Sequence, residues 1–162
     1  MRRLTEGERR LARSVFAEAL ELDRIRIVSI PAATAVTLGP VILMPADAPR
    51  DFATAPVRLR AWLVHELTHV WQFARAPLGT LRSWAGVAAS GGYGPGQPGY
   101  RYATPFDWTA LNLEQQARVV EHAFLMREGA AVEAATPSRA PLRATRADYA
   151  GRTPFEALDR RV

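Results

Sequence analysis

The stretch from Val57 to Arg75 is apolar on almost every side of a helix, yet it holds two histidines and a glutamate at its centre. Leu59, Trp62, Leu63, Val64, Leu67, Val70, Trp71 and Phe73 leave no broad polar face, so a helix built from these residues belongs in the interior. Pro56 suits the first turn of that helix, and Pro77 and Gly79 close it. Burying imidazoles and a carboxylate without partners is expensive. A metal ion would supply those partners.

The polar residues in question read His65-Glu66-Leu67-Thr68-His69. Side chains four apart share one face of a helix, about one turn from each other, so both imidazoles can bind the same metal ion. Glu66 points to the side of that face, where it can take a proton from a water on the ion without occupying a coordination position. The chain has no cysteine, which removes disulfides, thiolate sites and iron–sulfur clusters together. Histidine and carboxylate must hold the metal, and that ligand set favours zinc (Zn2+).

A catalytic zinc needs a third protein ligand, and the candidates downstream are Glu114, Glu121 and His122. Glu114 leads, because it stands near a helix start among Asn112, Gln115 and Gln116, which can support a ligand by hydrogen bonding. Gln72 follows His69 by about one turn and is a candidate for the same supporting role. Tyr93, Tyr100 and Tyr102 lie in or beside a Gly/Pro-rich loop, where a phenol can donate to a developing oxyanion.

Local signals place the other elements. Thr5 and Glu8 form a capping box, and Leu11, Val15, Ala19 and Leu22 recur at helical spacing, predicting a helix over about residues 6–22. Arg24 to Ile30 alternates and is β-branched, which predicts a strand. Residues 35–38 and 41–44 read as two short strands around Gly39-Pro40, and residues 49–56 read as a linker. The Gly/Pro-rich residues 91–100 predict a loop, of which Gly91 to Gly99 would serve as lid or rim. Asn112 is placed to cap a helix running to about residue 133. The expected architecture is α+β: a small, largely antiparallel sheet packed on the His65–His69 helix, with the Glu114 helix behind it. Residues 1–135 form the domain and residues 136–162 an Arg/Pro-containing tail.

Bulk properties bound the partners. All 21 basic residues are arginine and the formal charge is +5, but the arginines are scattered and no stacking or groove-reading motif accompanies them. Nucleic acid is therefore not the expected partner. No window approaches the length of a bilayer span, and Met1-Arg2-Arg3 is followed by polar residues rather than the apolar core of a signal peptide. The expected location is the cytoplasm, with export through a specialised secretion system compatible with the same sequence.

Val64-His65-Glu66-Leu67-Thr68-His69-Val70 resembles the active helix of thermolysin-like zinc peptidases, the gluzincins. The resemblance implies His65 and His69 as ligands, Glu66 as general base and Glu114 as the third ligand. Leu113 separates Asn112 from Glu114, where the family commonly has Asn next to Glu, and Arg118 stands where it carries an acid. Leu4-Thr5-Glu6-Gly7-Glu8, Asp23 to Ile27, His65 to Gln72 and Asn112 to Gln116 together resemble short bacterial Vgr-related proteins, a likeness spanning residues 4 to about 125. That family is akin to metallopeptidase domains found beside toxin and secretion modules, and the likeness implies a link to type VI secretion and a minimal zincin-like fold. The function expected is a zinc-dependent hydrolase, a metallopeptidase acting on a peptide or protein. The alternative is a non-catalytic zinc-binding adaptor or chaperone in a secretion or phage-like assembly.

Overall fold

The computed structural model describes residues 1–76, 100–103 and 106–132. The chain runs through β1 (Arg2–Arg3), α1 (Glu6–Phe16), β2 (Arg26–Ile30), β3 (Val36–Leu38), β4 (Val41–Pro45), α2 (Val57–Arg75) and α3 (Leu113–Arg127). Short 3-10 turns at Phe52–Thr54 and Trp108–Ala110 precede α2 and α3. The architecture is α+β. The Gly/Pro loop with Tyr93, and the tail expected over residues 136–162, lie outside the described residues.

The sheet is mixed, not largely antiparallel as the sequence led us to expect. Its order is β1-β2-β4-β3. The β3–β4 hairpin is antiparallel, with Leu38 opposite Val41. Gly39 takes φ +58° at the first position of its two-residue turn, which suits a glycine followed by the fixed negative φ of Pro40. The longest ladder, β2 with β4, is parallel, because β3 takes the outer position and its hairpin partner returns between β3 and β2. Val41-Ile42-Leu43-Met44 is the most continuously apolar strand, and the centre of the sheet is where such a strand buries most surface. Ile42 and Met44 are fully enclosed.

The helices differ from expectation at their ends. Thr5 and Glu8 form the reciprocal capping box that starts α1. The helix stops at Phe16, where Ala17 adopts φ 50°, although Leu20 and Leu22 still reach the core from the turns that follow. Helix α3 starts at the capping box of Asn112 and Gln115 and ends six residues short of residue 133, at Arg127. Gly129, at φ +75°, donates to Met126 O, and Ala130 donates to Leu125 O, a Schellman closure. The segment read as a linker is an anchor: Asp51 caps the 3-10 turn, Phe52 is wholly buried, and its ring meets Trp62 edge-on at 6.0 Å. Pro56 sits at the N-cap of α2, just outside the first turn.

Helix α2 is the spine of the domain. Every residue from Leu63 to Phe73 is buried, with α3 on one side and β3 against another. The core cluster joins Leu63, Val64 and Leu67 to Ile25, Ile42, Val120 and Phe124. The polar centre of α2 is thereby trapped between α3 and the edge strand. No helix among the described residues is long and apolar enough to cross a membrane.

Candidate metal centre

His65 and His69 project from consecutive turns of α2, and Glu114 reaches them from the first turn of α3. The two Nε2 atoms lie 3.2 Å apart, and Glu114 Oε2 lies 3.4 Å from that of His65 and 3.3 Å from that of His69. Three donor atoms thus form a nearly equilateral triangle. Ligands bound tetrahedrally at about 2.0–2.1 Å are separated by about 3.3–3.4 Å, so the triangle has the dimensions of one face of a zinc coordination sphere. The three residues form a buried group able to hold a metal ion.

The opposite faces of the two imidazoles fix their tautomers. His65 Nδ1 lies 3.1 Å from Glu121 Oε2, and Arg118 donates to both oxygens of that carboxylate at 3.0–3.1 Å. His69 Nδ1 lies 2.8 Å from Gln72 Oε1. The orientation of the Gln72 amide follows from its Nε2, which donates to Leu113 O and Gln116 Oε1, both at 3.0 Å. Gln116 in turn donates to Trp108 O at 3.2 Å. Each Nδ1 is therefore the nitrogen that keeps its proton when the ring is neutral, and each Nε2 faces Glu114, where its lone pair can bind an ion that takes the place of a proton. Glu114 Oε2 is buried and accepts no hydrogen bond. Three electron-pair donors converging on one buried point are stable only around positive charge.

The electrostatics agree. Burial opposes a charge on His65, but Glu114 and Glu121, with Glu66 adding a smaller pull, outweigh it and raise its pKa to about 10. Burial works against the charge on Glu114 too, yet the two imidazoles hold it well below the usual carboxylate range. Glu121 is lowered despite its burial, by His65 and then Arg118. The cluster draws in a cation, and a proton on His65 is the smallest one available to it.

The general-base candidate, Glu66, is 5% exposed on the same helix, and its Oε2 accepts a hydrogen bond from Thr37 Oγ1 at 2.7 Å. Of the other residues singled out in the sequence, Tyr100 stacks beside His65, with ring planes 4° apart and centroids at 6.4 Å. Tyr102 is buried and hydrogen-bonds through its hydroxyl to His122 Nδ1. Burial, and next the nearby Arg118, push His122 down to about 4, so it stays neutral at pH 7. Of the three candidates for third ligand, then, Glu114 lies in the donor triangle, Glu121 backs His65, and His122 pairs with Tyr102. Thr37 carried no sequence signal, and Arg118 stood out only as a departure from the gluzincin pattern; Gln116, read as a supporting residue for Glu114, instead orients Gln72 behind His69.

No protein-family model and no curated protein matches this chain. Among solved structures, the effector domain of Pseudomonas aeruginosa VgrG2b has a similar fold, with a TM-score of 0.63 over 78% of this chain and 75% of that one, at 24% identity. The likeness establishes shared architecture.

Proposed function

We propose that this protein is a zinc-dependent hydrolase of the minimal zincin type, cleaving amide bonds in peptides or proteins. The observation that carries this reading is the triangle of His65 Nε2, His69 Nε2 and Glu114 Oε2, with its tautomers set by Glu121 and Gln72. When bound there, a divalent ion polarises a carbonyl and makes a water acidic enough to attack near neutral pH. Glu66 holds the proton lost by the attacking water and returns it to the amide nitrogen as the C–N bond breaks. The stacking of Tyr100 beside His65 supports a role for its phenol as a donor to the oxyanion. The fold shared with an effector domain named for VgrG2b supports delivery by, or association with, a type VI secretion apparatus.

Glu66→Gln tests the reading. The variant keeps shape and metal but cannot take the proton, so bound zinc stays at the wild-type level while peptide hydrolysis falls by at least about 100-fold. A variant that retains both zinc and full turnover removes Glu66 from the mechanism. A wild-type protein that binds zinc yet cleaves no member of a broad peptide pool points to the adaptor role.

A further inference from the structure

The carboxylate of Glu66 has three rotatable bonds and is not one of the three grouped donors, and among the described residues no side chain of α2 hydrogen-bonds it. The fixing group comes from another element. Thr37 sits in β3, fully buried, and its hydroxyl donates to Glu66 Oε2 at 2.7 Å. That length is a well-formed O–H···O hydrogen bond. The competing acceptor, Glu66 O, is at 3.5 Å, so the hydroxyl proton belongs to the side chain.

Resting on the function proposed above, we infer that Thr37 is the positioning residue for the general base. The β-branched side chain has few χ1 choices, and its strand is pinned to β4 through the Thr37–Ile42 pairing. The sheet therefore sets where the hydroxyl lies. One tether on Oε2 leaves Oε1 as the carboxylate oxygen without a hydrogen bond among the described residues, and hence the oxygen that receives the proton. Thr37 touches no reacting atom. Its neighbours Val36 and Leu38 lie on the opposite face of the strand, Leu38 at 47% exposure, so an edge strand open on one side is coupled on the other to the base.

The test compares Thr37→Val, which keeps shape and loses the hydroxyl, with Thr37→Ser, which keeps the hydroxyl. The zinc-loaded full chain is assayed on an internally quenched peptide, selected from a mixed-sequence pool for cleavage by wild type. The expected result is a kcat about 10- to 100-fold lower for Thr37→Val, as for loss of a hydrogen bond to a charged group, with KM and zinc content unchanged and most of kcat restored in Thr37→Ser. A second readout needs no turnover: in a denaturation cycle with Glu66→Ala, Thr37→Val shifts the midpoint less once Glu66 is gone. A wild-type kcat in Thr37→Val, a Ser variant as slow as the Val variant, or additive midpoints would each overturn the inference. If wild type cleaves no peptide, the hydrolase reading fails, and the cycle alone decides whether Thr37 holds Glu66.

Discussion

At the scale of single residues, two imidazoles that share one helix face need not share an ion. What aims them are the groups on their far sides. Glu121, steadied by Arg118, holds His65, and Gln72, oriented by Leu113 O and Gln116, holds His69. Removing such a partner frees the ring and the tautomer together. Replacing Glu121 or Gln72 with Ala is therefore expected to weaken zinc binding by about 10- to 100-fold, measured by competition with a chromophoric chelator. Wild-type affinity in both variants would mean that the imidazoles are aimed by something else. Arg118 gains its meaning here: standing where the gluzincin pattern has an acid, it serves the carboxylate one turn along α3.

Among the elements, the close approach of α1 to the 3-10 turn at Phe52–Thr54 ties the N-terminal helix to the start of α2. A Cβ placed on Gly7 would lie 2.6 Å from Ala53 Cβ. Gly→Ala in a helix normally gains about 0.5–1 kcal/mol, whereas overpacking costs about 1–3 kcal/mol. The clash wins, so Gly7→Ala lowers the thermal midpoint; a raised midpoint would show that α1 can slide. Elements specified by their own residues were legible in the sequence: the α1 capping box, the hairpin at Gly39-Pro40, the buried α2 and the Asn112 cap. Elements specified by distant partners were not. Helical spacing continues to Leu22, but the chain leaves the helix at Ala17 and buries Leu20 and Leu22 from the turns that follow. The parallel β2–β4 ladder depends on which strand of a hairpin takes the sheet centre, and two-residue β1 exists only because β2 offers it an edge. Gly129 was a readable stop signal for α3. Thr37 was not readable, since a threonine in a short strand becomes a partner for Glu66 only when β3 lies on α2.

Across the whole molecule, α2 and α3 supply both the donor triangle and part of the apolar core, from different faces. Leu63, Val64, Leu67, Val120 and Phe124 close the interior with no contribution from the ligand atoms. Losing one ligand therefore empties the site without dissolving the domain, and metal content reports on the site itself. The most direct test of the central claim is metal content by mass spectrometry on the purified full chain, beside His65→Ala and Glu114→Ala variants. The account predicts about one zinc per chain in wild type and none in either variant, each still folded. A wild-type protein that holds no divalent metal after zinc has been offered, or a Glu114→Ala variant that keeps it, would contradict the account.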